Sequence, residues 1–416
     1  MFSRSGNGPH YQVLNECGAK EALNWIYNDP ATDIKYAGKT FQMPLHFSEL
    51  ENIRKFLDFI SLDSEEMDKV ITMFLTLLSA SEADINNYDS ITLKDWILTY
   101  TENLAVHDFF NCVCILYFGL PYYTASAGEF IYSFRNMFLD SSFGYVKGGS
   151  GSISRAFIEL AEKFGSEVRS NASVKRILIE EGKVIGVELE NGEIIQSNLI
   201  ISNAGIKETV LNLVGEQHFP IEYVFYIKSL KDSLAYLSIK IALKEKITEK
   251  PCVVVMPENS ENSFRNIDAG KPPKEKFLFI PIPSNLDPQL APSGMQLITV
   301  GTPCPMDPNT DFQPWISSLK ESINEVFPGI IEKAQWIEVT TPKDIANWLG
   351  KVSGCAIGLA QTPDQVGEKR PSAKSPIEGL YYVGADVQGR GIGTELAADS
   401  ALKVSSQLIK NLKAPK

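Results

Sequence analysis

The chain has 416 residues and a formal net charge of −12, with 44% hydrophobic and 22% charged residues. That length suffices for two or three domains, and the composition is ordinary for a soluble globular protein. The acidic balance argues against nucleic acid as a partner, because nucleic-acid-binding proteins usually carry basic patches. Apolar runs stay short of the ~18 residues of a membrane span, and the polar start Met1–Pro9 lacks the apolar centre of a signal peptide.

The six cysteines are scattered, and only Cys112 and Cys114 are near neighbours. A Cys-x-Cys pair inside an apolar stretch is more typical of a core than of a metal site. The four histidines are dispersed as well, so no zinc-binding spacing can be assembled and we predict no metal site. Reduced cysteines without an export signal predict a cytoplasmic protein.

Residues 9–145 are predicted to be mostly helical, because apolar residues recur there at three- and four-residue spacing. The pattern is clearest at Leu50–Ile60, Met67–Leu78 and Leu93–Leu104. Farther on, Ser126-x-x-Glu129 has the form of a capping box and predicts a helix at Phe130–Leu139. The periodicity fits a helical layer beside a substrate site and a layer that only packs on the core equally well.

Residues 146–210 mix glycine turns, a helix and short strands. The segment Gly148–Gly151 precedes a predicted helix at Ser152–Phe164, and its first two glycines fit either a plain turn or a close approach of backbone to a ligand. Strands are predicted at Ser173–Glu180, Val184–Glu190, Glu193–Gln196 and Leu199–Ser202. The dipeptide Asn191-Gly192 is a strong hairpin signal, and the last strand is mostly apolar, which is typical of a buried parallel strand.

Residues 211–345 alternate strands with proline-containing turns. Strands are predicted at Leu234–Leu243, Cys252–Met256, Lys276–Pro283, Met295–Gly301 and Gln335–Thr340, with one helix at Phe312–Val326. This pattern suits an antiparallel sheet that packs one face on a core and lines a cavity with the other. The polar segment Asn259–Asp268 is predicted to be a surface loop.

The most informative stretch is Gly379–Asp399, in which an apolar strand, Leu380–Val383, runs into a glycine-rich turn and then into an Ala- and Leu-rich helix that reaches about Leu408. A strand, a glycine turn and a helix N-terminus together let backbone N–H groups approach an anionic or electron-rich ligand. The helix dipole adds roughly half a positive charge at that end. The turn supplies seven candidate cofactor-binding residues, namely Gly384, Asp386, Gly389, Gly391, Ile392, Gly393 and Thr394. Asp386 can accept hydrogen bonds from ligand hydroxyls or simply cap the following turn.

These motifs resemble a known family. Gly384-Ala-Asp386 followed by Gly-Arg-Gly-Ile-Gly-Thr-Glu-Leu-Ala is similar to the C-terminal flavin-contacting signature of the phytoene desaturase and retinol saturase family, FAD-dependent oxidoreductases related to the amine oxidases. The segments Tyr145–Phe157 and Ile200–Gly205 agree with it. The resemblance implies FAD as the cofactor, with backbone N–H groups of Gly391–Thr394 beside the pyrimidine edge of the flavin. It also implies a backbone contact from Val174 to the adenosine part, although a plain strand residue is the simpler interpretation of Val174.

One expected family feature is absent from these 416 residues. The family carries a Gly-x-Gly-x-x-Gly unit between a strand and a helix, which holds the FAD pyrophosphate, and this sequence contains none. Three explanations stay open: a reading frame that starts upstream, a separate polypeptide that supplies the unit, and a degenerate, non-catalytic relative. A chain without the unit is expected to hold FAD weakly on its own.

The fold expected from the resemblance is α/β, and α+β in part. An incomplete doubly wound FAD-binding domain is predicted from residues 1–8, 146–215 and 346–416, with its first βαβ unit missing. The inserted substrate-binding domain, residues 9–145 and 216–345, is predicted to combine a helical layer with a mostly antiparallel sheet.

The function implied by the resemblance is hydride transfer between the flavin and an apolar isoprenoid or polyene. No activated acid, base or nucleophile stands out, so no catalytic residue is predicted. Expected partners are the apolar small molecule, a membrane surface from which it is collected, and either a partner chain or a second copy of this chain. The alternative function is a non-catalytic subunit that needs a partner chain with the dinucleotide-binding unit, and a third is an amine oxidase that acts on polar amines.

Overall fold

The computed structural model describes residues 8–139 and 144–413. Its first part contains a helix, three short strands and a helical layer. These elements are α1 (Pro9–Glu16), β1 (Trp25–Tyr27), β2 (Thr32–Tyr36), β3 (Lys39–Met43), α2 (Leu50–Phe59), α3 (Ser64–Ser79), α4 (Glu82–Tyr88), α5 (Leu93–Leu98), α6 (Leu104–Phe118) and α7 (Ala127–Leu139).

The middle part contains a short strand, one longer helix and a small sheet. The elements are β4 (Gly144–Val146), α8 (Gly151–Lys163), β5 (Val174–Glu180), β6 (Lys183–Leu189), β7 (Ile194–Gln196), β8 (Ile200–Ser202), a π-helix (Glu208–Gly215) and α9 (Ile221–Ser229).

The last part supplies most strands of the large sheet and returns to the glycine turn. Its elements are β9 (Ala235–Leu243), β10 (Cys252–Val255), α10 (Ser260–Asp268), β11 (Leu278–Pro281), α11 (Pro283–Leu286), β12 (Gln296–Cys304), α12 (Gln313–Val326), α13 (Ile330–Lys333), β13 (Ala334–Thr340), α14 (Pro342–Leu349), β14 (Leu380–Tyr382) and α15 (Gly393–Lys413).

Four sheets organise these strands. The largest has seven strands in the order β13-β9-β12-β11-β10-β2-β3, and every pair in it is antiparallel except β10 and β2. β5, β6 and β7 form an antiparallel meander, while β1 pairs with β4 and β8 pairs in parallel with β14. The predicted α/β fold with a mostly antiparallel second sheet is therefore confirmed.

The main core lies between the large sheet and the helical layer. Its helical side is unusually aromatic, and the rings of neighbouring phenylalanines lie within about 6 Å of one another. The phenylalanines that make up this cluster are Phe47, Phe56, Phe74, Phe109, Phe110, Phe130, Phe134 and Phe138. A separate small core joins α1 and α8, and α1 also packs on α15.

Local capping explains where the helices of the layer begin. The side chain of Asp63 accepts the Glu66 N–H at the start of α3, and Ser81 forms a complete capping box at α4. The pattern Leu93–Leu104 predicted one helix, but the chain leaves the helical path after α5. There the side chain of Asn103 accepts two backbone N–H groups and starts α6 instead.

Two segments differ from the predicted pattern. Residues 32–43 lie in the part predicted to be mostly helical, yet β2 and β3 form a hairpin at one edge of the large sheet, where Ile34 and Tyr36, and then Phe41 and Met43, alternate with polar residues as in a strand. The segment Asn259–Asp268 is not a surface loop: Asn259 caps the amphipathic helix α10, and Phe264 and Ile267 of that helix are buried. Within residues 8–139 and 144–413, no helix combines the length and the apolar character that a bilayer crossing requires.

Candidate functional site

The glycine turn that follows β14 brings the predicted cofactor residues together. Gly384 has a φ of +119° and lies so close to Asn203 that a Cβ there would come within 2.8 Å of its side-chain oxygen. Gly393, the first residue of α15, has a φ of +52° and nothing within 4 Å of the position of a Cβ. The positive φ at both positions favours glycine, and of the two residues only Gly393 borders open space.

The eight predicted residues differ in what can reach them. Three of them are buried glycines, namely Gly384, Gly389 and Gly391, whereas Ile392 and Gly393 are partly exposed and Thr394 is exposed. Val174 begins β5, on another sheet than β14, and its side chain is 36% exposed. A ligand at the turn would therefore meet Ile392, Gly393 and Thr394 first, at the positive end of the 21-residue helix α15.

Asp386 anchors the turn to two distant loops. One carboxylate oxygen accepts the Ile206 N–H at 3.1 Å, and the other accepts the Leu359 N–H at 2.9 Å. The Lys351 ammonium group lies 3.9 Å away. The side chain therefore does not cap its own turn, and each oxygen keeps a second lone pair with which it could accept a ligand hydroxyl.

A buried ion-pair network holds the turn against the helical layer. Glu129 of α7 is fully buried, and one of its oxygens accepts the Gly391 N–H at 2.7 Å while the other accepts from Arg390 Nη1 at 2.9 Å. Arg390 also donates to both carboxylate oxygens of Asp89, at 2.9 and 2.6 Å, and to Asn86 Oδ1 at 2.6 Å. The side chain of Arg390 thus ties the turn to α4 and α7.

Electrostatics favour this pairing in spite of burial. Burial raises the pKa of the Glu129 carboxyl, while the charge of Arg390 and the Gly391 N–H stabilise its ionised form. Burial also lowers the pKa of Arg390, but hydrogen bonds and charge from Asp89 and Glu129 outweigh it and raise that pKa. For Glu129 the effect of burial is the larger one and its pKa is raised overall, while the hydrogen bonds to Arg390 and Gly391 offset part of the cost of burying the carboxylate.

The predicted capping box at Ser126 and Glu129 is only half formed. The Ser126 hydroxyl accepts the Glu129 N–H at 3.3 Å, but the Glu129 carboxylate reaches the glycine turn rather than the start of its own helix. The helix α7 also begins at Ala127, three residues before the predicted start. A glutamate three residues after Ser126 can either complete the capping box or contact a distant part of the chain. The Ser126-x-x-Glu129 spacing alone does not distinguish these two roles.

Two more side chains that sequence reasoning missed fix the backbone of the turn. Gln361 donates to the Gly391 carbonyl oxygen at 2.9 Å, and the buried Arg370 donates to the carbonyl oxygens of Ala385 and Val387. Gly391 uses both its N–H and its carbonyl oxygen in bonds within the protein. Its N–H is therefore not free for the flavin contact that the resemblance implies. The backbone N–H groups that we still expect to contact a ligand at the turn are those of residues 392–394.

A cavity of about 310 Å³ lies beside the second glycine segment, between the large sheet and the helices α6 and α7. The Gly148 N–H donates to Asp287 Oδ2 at 2.7 Å, and Ser150, two residues on, lines the cavity. Most of the lining is apolar, including Phe109, Phe134 and Phe279. Among residues 8–139 and 144–413, no Asp, Glu, Lys, Arg or His lines the cavity.

Comparisons with known proteins identify the family. Residues 1–409 match the family described as flavin containing amine oxidoreductase, and the chain belongs to it. The resemblance inferred from the motifs is thereby confirmed, and so is FAD as the cofactor of this group of oxidoreductases.

Curated relatives include a zeta-carotene-forming phytoene desaturase from Myxococcus xanthus, 27% identical over 307 residues, which make up 71% of this chain and 57% of the relative. A chloroplastic prolycopene isomerase from Daucus carota is 28% identical over 252 residues, 58% of this chain and 40% of the relative. The chain thus spans about half the length of the curated relatives it matches.

Solved structures share the fold. An oxidoreductase from Methanosarcina mazei superimposes with a TM-score of 0.74 at 18% identity, covering 97% of this chain and 86% of that one. A variant of putrescine oxidase superimposes with a TM-score of 0.62 at 12% identity, covering 97% and 85%. These likenesses establish the architecture and nothing about the substrate.

Replacing Glu129 tests whether the network holds the turn. We expect Glu129→Ala to lower the free energy of unfolding by about 3 kcal/mol, because the Gly391 N–H loses its acceptor and Arg390 loses one of two carboxylates. Urea denaturation measures the change. In the control Glu82→Ala, the lost carboxylate is 66% exposed and pairs with Arg135 at the surface, so we expect less than ~1 kcal/mol. Equal losses in the two variants would contradict a special role for Glu129.

Proposed function

We propose that the chain is an FAD-dependent oxidoreductase of the phytoene desaturase type, which transfers a hydride between the flavin and an apolar isoprenoid or polyene. The observation that carries the proposal is the cavity beside Gly148–Ser150, whose lining, as far as the structure describes it, is mostly apolar and holds no ionised side chain. Buried, uncharged surface of this kind suits a neutral hydrocarbon-like molecule. The names of the relatives, a phytoene desaturase and prolycopene isomerases, agree with it.

The thiols that line the cavity strengthen its neutral character. Burial raises the pKa of the Cys252 thiol to about 12 and that of Cys112 well above its usual range. Both groups therefore stay protonated at neutral pH and act as small apolar surfaces. The same lining disfavours a cationic amine, because an ammonium group in it would lack a carboxylate partner.

A bound FAD would supply the hydride chemistry, and the chain would position both molecules. We place the flavin contacts at Ile392, Gly393 and Thr394, with Asp386 facing ligand hydroxyls and Gly148–Gly149 against the substrate side. The N-terminus of α15 would favour negative charge at these backbone groups. The other predicted contacts, Val174, Gly384, Gly389 and Gly391, would contribute backbone shape. Cytoplasmic location, contact with a membrane surface and a homo-oligomer stay predictions of the sequence.

The flavin contact can be tested at Gly393. We expect Gly393→Ala to weaken FAD binding about tenfold, because the methyl group strains a left-handed backbone and enters the open space at the helix N-terminus. Fluorescence titration of the purified chain, carried up to millimolar FAD, measures even a weak site. The matched control is Gly350→Ala, since Gly350 has a φ of +68° and equally open surroundings at the end of α14. If both variants bind FAD alike, the flavin does not contact Gly393.

The substrate site can be tested by filling the cavity. Ala31→Phe places a ring in the lining, and we expect it to slow the reduction of bound FAD by phytoene more than tenfold without changing FAD affinity. Anaerobic mixing followed by the visible flavin absorbance gives the rate. The control is Ala22→Phe, at an exposed position of the same N-terminal part. An unchanged rate in Ala31→Phe would place the reaction elsewhere.

A second candidate function is a subunit that receives its dinucleotide-binding unit from another chain. One edge of the strand β8 supports this candidate. The Ile200 N–H and the Ser202 carbonyl oxygen form hydrogen bonds on the side of β14. Since the peptide groups of successive residues in a strand point in opposite directions, those of Ile201 point to the other edge. In the described ranges that edge pairs with no strand, and the Ile201 side chain is 47% exposed. An added parallel strand would satisfy these groups.

Extending the reading frame separates the two candidates. If codons directly upstream encode a strand, a Gly-x-Gly-x-x-Gly turn and a helix, we expect the extended chain to retain FAD through desalting, because one polypeptide then holds both halves of the cofactor. Visible absorbance after the column reports retention. An extended chain without flavin, or a frame without such codons, would favour a separate partner chain.

A further inference from the structure

Among the described residues, two polar side chains of the cavity wall have a buried atom without a hydrogen-bond partner. These atoms are Nδ2 of Asn28 and Oγ1 of Thr32. The Thr32 hydroxyl can donate or accept a hydrogen bond, whereas the Asn28 amide nitrogen can only donate. Ser150 is exposed at the cavity edge. The Asn28 amide is therefore the buried group of the cavity that requires an acceptor on a guest molecule.

A single water would be a poor partner for this amide. Buried waters generally need two to four polar partners, and the walls around Asn28 are mostly apolar, with Ile26, Ala31 and Ile34 among them. A buried amide without a hydrogen-bond partner costs free energy, so such a group is normally hydrogen-bonded to protein, water or ligand. An oxygen atom on an otherwise apolar ligand would satisfy it without bringing water into the cavity.

The position of Asn28 fixes where that oxygen would lie. β1 pairs with β4 in antiparallel register, with Tyr27 opposite Gly144, and the Lys147 N–H donates to the Asn24 carbonyl oxygen beside the glycine segment. Four residues of extended chain separate Asn24 from Asn28, which corresponds to about 13 Å. The Asn28 amide therefore lies well away from the turn at Gly148 and Gly149.

The charges around the cavity restrict which oxygen-containing group the ligand can carry. Since no lysine, arginine or histidine of the described residues lines the cavity, a carboxylate on the ligand would be buried there without a cation from them. A hydroxyl or a carbonyl group can accept from the amide and stays neutral.

We infer that the substrate is an isoprenoid or polyene with one neutral oxygen, a hydroxyl or carbonyl group, which accepts a hydrogen bond from Asn28 at the end of the cavity remote from Gly148 and Gly149. This inference rests on the proposed function and deepens it. It distinguishes an oxygenated substrate from a pure hydrocarbon, and it makes Asn28 the residue that determines this specificity.

The test compares two ligands of equal length on the purified 416-residue chain. The probes are geranylgeraniol and the hydrocarbon that lacks its hydroxyl group, with tryptophan fluorescence as the readout. We expect the chain to bind the alcohol about fivefold more tightly than the hydrocarbon, and Asn28→Leu to abolish this preference while it leaves hydrocarbon affinity unchanged or improved. The aldehyde of the same length should behave like the alcohol, and the carboxylic acid should bind more weakly than both.

The matched control is Asn24→Leu, the same change at an exposed position before β1, which should keep the preference for the alcohol. Asn28→Ala serves as a second variant in case the leucine disturbs folding. Equal affinity for alcohol and hydrocarbon in the unmodified chain, or an unchanged preference in both Asn28 variants, overturns the inference alone. Failure to bind any of the four ligands would instead overturn the proposed apolar substrate class, and the inference with it.

Discussion

The carboxylate of Glu129 is the interaction on which the glycine turn depends. This carboxylate accepts the N–H of Gly391, which lies 262 positions farther along the sequence, and it also pairs with Arg390. A buried carboxylate is costly unless its charge and lone pairs are satisfied, and here one guanidinium group serves Glu129 and Asp89 together. The conformation of the turn is therefore set partly by the helical layer and not by the strand and helix that flank it.

A second carboxylate restrains the same turn from its other end. Asp386 receives backbone N–H groups from Ile206 and Leu359, which follow β8 and precede β14 in the chain. With Glu129 at one end and Asp386 at the other, the backbone between them is fixed by the protein alone. Preorganised backbone of this kind can meet a ligand without rearrangement, which is how rigid hydrogen-bond donors stabilise charge in flavin and other enzyme sites.

Local features were predictable from the sequence, and contacts between distant residues were not. The periodicity of Leu50–Ile60, the hairpin at Asn191-Gly192 and the strand, turn and helix from Leu380 onward all appear in the structure near their predicted bounds. In each of these, the residues that determine the conformation are close in sequence. The bond between the Gly391 N–H and the Glu129 carboxylate could not be predicted in this way, because it joins residues that are 262 positions apart in the sequence.

The same distinction applies to the strands β2 and β3. Ile34 and Tyr36 in β2, and Phe41 and Met43 in β3, alternate with polar residues, so the local pattern allows a hairpin but does not show that it joins a large sheet. β2 and β3 pair with each other, and they join the sheet because β10, more than two hundred residues later, offers a parallel partner to β2. The long-range pairing thus determines membership of the sheet and not the strand conformation.

Neither the glycine turn nor the cavity presents an obvious general acid or base. The carboxylates of Asp386 and Glu129 at the glycine turn accept hydrogen bonds from backbone N–H groups, and Glu129 also accepts from Arg390. The cavity beside Gly148 and Gly149 is lined mostly by hydrocarbon and neutral thiols, together with the amide of Asn28. A reaction in which a cofactor moves a hydride to or from carbon needs neither a general base nor an oxyanion hole for an acyl group. What it needs is a rigid backbone for the cofactor and a dry, shaped space for the substrate. In the proposed function, the ion pairs at the turn would supply the first because they join distant segments, and the closely packed aromatic core behind the cavity would supply the second.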